Sequence, residues 1–361
     1  MQHRKKLITV GLLLLASLLI HLYSLDPQRV EKGYSAHFFP FIASLLRRGL
    51  GWLPFSLGDI LYAAAFIWIV IKLIDLGKVF FRRNRENIKE RGVKGILSVT
   101  ILCASLYIIF NILWGINYNR QGIATQIGLD VRKYSTEDLK MINGVLAEKI
   151  NASKIALMRG GKGYPSDREL FDMTKAAYDR AAEKYTFLRY VHPCIKRSMW
   201  GWIGNYTGFL GYYNPFTGEA QLNTTVPKFT QPFTVCHETA HQLGYAKEME
   251  ANFVGYLAAV SSEDTLFHYS VYTDLFSYAN RSLYFADSAA SRIYRQMLLP
   301  QVTEDFKERK RFAQAHTSFL EPIVRAIYGK YLESNQQPKG MMSYDEVTAF
   351  IIAYYKKFGR I

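Results

Sequence analysis

The chain has 361 residues, 49% of them hydrophobic, and a formal net charge of +15. That length accommodates one sizeable folded domain plus a membrane anchor, and the apolar residues crowd into the first third. The basic excess comes with no RNP, zinc-finger or helix-turn-helix signature, so nucleic acid is not an expected partner. Cys103, Cys194 and Cys236 are too few and too scattered for a disulfide framework or a cysteine-type zinc site, which leaves a Cys194–Cys236 bridge as the one pairing to check.

Residues 7–25 contain no Asp, Glu, Lys or Arg and follow Arg4, Lys5 and Lys6. No small-residue cleavage site follows them, so they read as an uncleaved membrane span rather than a signal peptide. Residues 26–54 read as an interfacial segment, with Phe38, Phe39, Phe41, Leu45 and Leu46 at the lipid surface and Arg47 and Arg48 toward head groups. Second and third spans are expected at 55–76 and 95–116. The loop between them carries Lys78, Arg82, Arg83, Arg85, Lys89, Arg91 and Lys94 against only Glu86 and Glu90, which retains it in the cytoplasm. Span one then leads out, span two returns and span three leads out again. Residues 1–116 are thus the expected anchor, and 117–361 the expected extracytoplasmic domain.

Within that domain, Ser135 and Ser166 are expected to start helices, the second ending near Lys184. Residues 198–226 turn to Gly, Tyr and Trp, and a hairpin is expected with strands at 206–213 and 219–225. Helices follow at 268–299, interrupted by Pro300 and resuming at 302–319. A loop at 331–339 and a final helix at 344–358 complete the chain. The fold class expected is a membrane-anchored α+β protein, mainly helical, with a small sheet or hairpin.

The chemistry concentrates in residues 234–260. His237-Glu238-Thr239-Ala240-His241 is an HExxH pattern, and on a helix positions i and i+4 share a face, so both imidazoles can reach one ion. Thr230 is a possible cap and Pro232 suits the first turn. Histidine nitrogens suit Zn2+, and a catalytic zinc keeps three protein ligands plus an open position. Glu238 stands where its carboxylate can hold a water. Gly244 can end the helix in a left-handed cap, with a second helix over 246–260. There Glu248 shares a face with Ala251, Asn252, Gly255 and Ala259, all small or polar, whereas Glu250 points with Phe253, Val254 and Leu257. Glu248 is the favoured third ligand, and Glu250 the alternative. Asn252 is a candidate to orient a histidine. Tyr212, Tyr213, His268, Tyr269 and Tyr272 are candidate donors to an oxyanion, undecided by spacing.

The segment His237–His241 followed by Glu248-Met249-Glu250-Ala251-Asn252 resembles the zincin metallopeptidases whose second helix carries a glutamate ligand. That resemblance implies His237, His241 and Glu248 as zinc ligands and Glu238 as catalytic base. Six residues separate His241 from Glu248, a turn closer to that of metzincins, although Lys247 occupies their third-ligand position. The wider pattern of three spans, GYYNPFTGEAQ, HETAHQLGYAKEMEANF and a C-terminal YLESNQQ and SYDEV resembles an uncharacterised bacterial family of membrane-anchored, zincin-like proteins, domain of unknown function family 3810. In zincins a strand beside the motif helix pairs with extended substrate, and by resemblance the hairpin is its candidate.

The expected function is therefore a zinc metallopeptidase of the bacterial inner membrane, acting on a protein or peptide of the cell envelope from the extracytoplasmic side. The alternative is a non-catalytic zinc-binding sensor or scaffold.

Overall fold

The computed structural model describes residues 2–81 and 88–361. The helices Gln2–Ser24, Leu57–Phe81 and Ile88–Leu113 each contain a stretch long and apolar enough to cross a membrane: Arg4–Ser24, Leu57–Asp75 and Gly92–Leu113. These match the three expected spans; the third stops short of Ile116 because the chain leaves the α-helix at Trp114. Positions 82–87 of the basic loop, with Arg82, Arg83, Arg85 and Glu86, lie outside the described residues. Spans one and three pack on one another, and Lys6 Nζ donates to Ser98 Oγ at 2.9 Å.

The segment between the first two spans departs from expectation in the residues it buries. It is helical from Pro27 onward: Val30–Phe38 is wound as a π-helix and Phe39–Leu50 continues it. Phe39, Ala43 and Arg47, spaced four apart, form one buried stripe facing the folded domain, so Phe39 and Arg47 do not lie at the lipid surface. Phe41, Leu45 and Arg48 remain exposed.

Both serine-initiated helices form as expected. Ser135 and Asp138 make a reciprocal capping box for Thr136–Gly160, and Ser166 with Glu169 does the same for Asp167–Lys184. Leu139, Ile142, Leu146 and Ile150 supply the buried stripe of the first.

The sheet has three strands, β1 (Ile195–Arg197), β2 (Gly211–Asn214) and β3 (Glu219–Leu222), in the order β1-β3-β2. The β2–β3 hairpin was expected; β1, parallel to β3, was not. Residues expected at the start of the first hairpin strand form instead the short helix Gly201–Thr207, ended by Gly208 in a left-handed conformation (φ 82°). That leaves β2 short and at the edge of the sheet.

Two helices carry the motif residues, the motif helix Gln231–Gln242 and the return helix Glu248–Ser261. Thr230 does not cap the motif helix; its hydroxyl donates to the Pro227 carbonyl. Thr265–Ala286 packs beside both helices, and Ser270 Oγ accepts from the Phe233 amide in the first turn. The chain then forms Ser288–Gln296, Pro300–Ala315, Leu320–Ser334 and Val347–Phe358. The polar stretch expected as a loop from 331 is helical through Ser334. Cys103, Cys194 and Cys236 are all free, so the Cys194–Cys236 bridge does not form.

Candidate metal centre

The motif helix is buried along its whole length. It ends at a left-handed Gly244 (φ 84°), as expected, and the return helix begins four residues later. The two helices cross at Gly255, which packs directly on the His237 backbone.

Three donor atoms converge at this crossing. His237 Nε2 and His241 Nε2 are 3.1 Å apart, and Glu248 Oε2 lies 3.2 Å from the first and 3.5 Å from the second. His241 Nδ1 meets the Tyr245 carbonyl at 2.7 Å and donates its proton there, so in the neutral ring Nε2 presents a lone pair. Buried lone pairs aimed at one another repel unless a cation lies between them. Tetrahedral ligands about 2.0–2.1 Å from a zinc ion stand about 3.3 Å from each other, close to all three separations. Glu248 Oε2 is moreover buried without a hydrogen-bond donor among the described residues. The set fits a divalent ion, and Glu238, whose carboxylate belongs to the same buried cluster as the two imidazoles, adjoins it.

Electrostatics separate the two glutamates. Burial pushes Glu238 up to about 7, against the pull of the two imidazoles and with Glu248 adding to the rise. Burial would raise Glu248 as well, but the adjacent imidazoles outweigh it and hold that carboxyl far below the usual range. One is thus suited to exchange a proton near neutrality, the other to remain an anion.

The neighbours of Glu248 come from the C-terminal part of the chain. Tyr328 donates its hydroxyl to Glu248 Oε1 at 2.8 Å, leaving Oε2 for the imidazoles, and Gln337 Oε1 accepts from the Glu248 amide at 2.9 Å. Tyr344 stacks on His237, ring centroids 6.2 Å apart and 20° between planes. Glu250 is excluded from this cluster: its carboxylate packs against Gly122, whose absent side chain leaves the space. Asn252 does not orient a histidine; its amide reaches the Tyr344 carbonyl at 3.4 Å.

The candidate oxyanion donors are largely occupied elsewhere. The Tyr212 hydroxyl contacts Asp59 and Ser198, and Tyr269 contacts Asp305. His268 meets the Ser262 carbonyl and Tyr272 the carbonyl of Ile361. Tyr213 lies beside His241 with its hydroxyl buried and unpartnered among the described residues. Tyr344, which lines the cavity over His237 and Glu238, was missed; its only sequence signal is its place in SYDEV.

The carbonyls at the end of the motif helix are held by Arg47 and Trp114 of the anchor and by Arg120 just beyond it. Arg47 Nη1 donates to Gln242 O (2.8 Å), Trp114 Nε1 to His241 O (3.1 Å) and Arg120 Nη1 to Gly244 O (3.2 Å). Two of these donors are cations at a helix C-terminus, where the backbone dipole favours them. The family described as Protein of unknown function (DUF3810) matches residues 34–352. The chain belongs to that family. The DUF3810 match takes in Arg47, Trp114 and Arg120 along with the motif, so the segments that cap the site lie within the family's bounds. No curated protein and no solved structure matches the chain.

Proposed function

We propose that this DUF3810 member is a membrane-anchored zinc metallopeptidase, with His237, His241 and Glu248 as ligands, Glu238 as general base and a zincin-like arrangement of helix and edge strand. The observation that carries the reading is the triangle of Nε2, Nε2 and Oε2 atoms at 3.1–3.5 Å with Glu238 beside it. A zinc ion bound there supplies Lewis acidity toward a carbonyl and lowers the pKa of a water molecule.

The chain's own groups account for the remaining chemistry. Glu238, poised near neutrality, accepts the proton of the attacking water and passes it to the departing amine. Tyr344, stacked on His237 and lining the cavity beside Glu238, is a candidate to donate to the developing oxyanion. Gly211 on β2 lies against the Glu238 side chain, so the edge strand passes directly beside the base. The Asn223 amide donates to the Leu210 carbonyl, and by antiparallel alternation Gly211 and Tyr213 turn their backbone groups away from β3. An extended peptide paired there would lie across Glu238, with affinity from main-chain hydrogen bonds rather than sequence.

The ends of spans one and three, at Ile20, Tyr23, Phe110 and Trp114, join the apolar cluster that includes Ala246, and the start of span two is bonded to Glu219. Together with the basic 77–94 loop, this supports placing the domain outside the cytoplasm, with the bilayer and a cell-envelope polypeptide as partners. The decisive experiment compares purified full-length protein with Glu238→Gln on a mixed-sequence peptide library. Proteolysis should vanish in the variant with zinc content unchanged; retained proteolysis removes Glu238 from its role, and none in the wild type favours the sensor or scaffold reading.

A further inference from the structure

The cavity that opens onto His237, Glu238, His241 and Glu248 has a volume of about 690 Å3 and is lined mainly by apolar and aromatic groups. Part of its wall belongs to the membrane anchor: Tyr62 from span two, Phe110 from span three, and Trp114 just past the end of span three. The lining also includes Gly211 and Tyr213 of the edge strand, with the Tyr213 ring 5.2 Å from that of Trp114.

The spans do not close this cavity off. Spans one and three pack together, whereas span two makes no extended contact with either among the described residues. Span two is fastened to the sheet instead. Its first amides, Leu57 N and Gly58 N, donate to the Glu219 carboxylate at 3.1 and 2.6 Å, and Asp59 Oδ2 accepts from Met199 N at 2.6 Å. With no extended packing between span two and the other pair, a cleft lies between them, and Tyr62 and Phe110, one from each side, line the cavity. The rim continues the apolar character. On Leu320–Ser334 and the residue before it, Phe319, Ile323 and Ile327 are 79%, 52% and 66% exposed and fall on one helical face. Ile327 itself lines the cavity.

We propose that the substrate is a membrane-inserted polypeptide that reaches the site sideways from the bilayer, its apolar anchor in the cleft and its scissile bond in the first extended residues outside it. This rests on the peptidase reading above and adds the substrate class. An extended backbone in hydrocarbon leaves its polar groups unpaired, so a peptide occupant can unwind only where the edge of β2 offers N–H and C=O partners. An acyl chain would fill the apolar volume but leave that edge unused, which favours a polypeptide over a lipid.

The test uses full-length Glu238→Gln protein in vesicles of phosphatidylethanolamine and phosphatidylglycerol, so that binding is read without turnover. A photoreactive phenylalanine replaces Ile327 at the cavity rim or, as a lipid-facing reference, Leu12 of span one, which is 63% exposed. The probes are a mixed-sequence decapeptide library fused to an apolar segment of about 20 residues, and the same library unfused. The fused library should crosslink at 327 about tenfold more than at 12, and the unfused library at neither, a preference of about 1.4 kcal/mol. Equal labelling of 327 and 12 by the fused library, or labelling of 327 by the unfused library as strong as by the fused one, would overturn access from the bilayer. Phospholipid as the sole adduct at 327 would overturn it too, by making the cavity a lipid site. Wild-type protein run in parallel separates the two readings. Cleavage of the unfused library without crosslinking preference sinks only the membrane route, while preferential crosslinking without cleavage of either library sinks the peptidase reading.

Discussion

Gly255 packs on His237 so closely that a side-chain carbon built there would stand 3.1 Å from the His237 nitrogen and 3.2 Å from its Cα. Those neighbours are the backbone of a buried helix and cannot swing aside. Gly255→Val should therefore separate the motif and return helices, withdrawing Glu248 from the imidazoles. Overpacking of this kind costs about 1–3 kcal/mol, and the zinc affinity of the purified variant should fall with its melting temperature. A variant that melts lower but binds zinc as tightly as the wild type would show that the helix crossing does not set the ligand geometry.

Tyr328 fixes which oxygen of Glu248 faces the imidazoles. Removal of such an outer partner typically weakens metal binding by about 10–100-fold. Tyr328→Phe should show a loss of that order in competition with a zinc chelator, with little change in secondary structure by circular dichroism. Glu250→Gln, whose side chain lies against Gly122, should leave zinc affinity at the wild-type value.

Arg47 ties the juxtamembrane helix to the end of the motif helix through the Gln242 carbonyl at 2.8 Å, and to the segment before β1 through the Val191 carbonyl at 3.3 Å. Arg47→Met leaves the buried Gln242 carbonyl without this donor, at about 1–3 kcal/mol. Thermal unfolding of the detergent-solubilised full chain should show the loss, while Arg48→Met, on the exposed side, should stay within about 0.5 kcal/mol of wild type.

Glu31 and Arg120 form a second link across the same junction, with two hydrogen bonds of 3.0 and 2.7 Å. Burial alone would raise the Glu31 carboxyl, but the Arg120 contacts and the Gln126 amide prevail and lower it. A carboxyl lowered on folding adds stability that is complete above its unfolded value, near 4.3, and disappears as the pH falls through the lower folded value. The difference in melting temperature between wild type and Glu31→Gln should accordingly be constant from pH 7 to about pH 5 and shrink below it. A difference that grows on acidification would contradict the assignment.

The sequence made the local part of this site readable. HExxH spacing put both imidazoles on one face, Gly244 marked the turn, and the small residues at 251, 255 and 259 singled out Glu248 over Glu250, which the geometry now places apart from the cluster. The three spans were legible for a similar reason, since hydropathy is a property of contiguous residues. What could not be read was pairing across distance. Tyr328 reaches Glu248 over a separation of 80 residues and Arg47 reaches Gln242 over 195, and neither leaves a periodic trace. Arg47 and Phe39 looked interfacial because a helix with one apolar stripe reads alike whether it lies on lipid or on protein. The edge strand was read as longer than it is because the Gly- and Tyr-rich run before it suits a strand and a glycine-terminated turn of helix equally well.

The central claim is one divalent ion held by His237, His241 and Glu248. Elemental analysis of the purified full-length chain tests it most directly, beside His237→Ala, Glu248→Ala and Glu238→Gln. The prediction is about one zinc per chain in the wild type and in Glu238→Gln, and little in the other two. Zinc retained by both ligand variants, or absent from a folded wild-type chain after zinc is supplied, would contradict it.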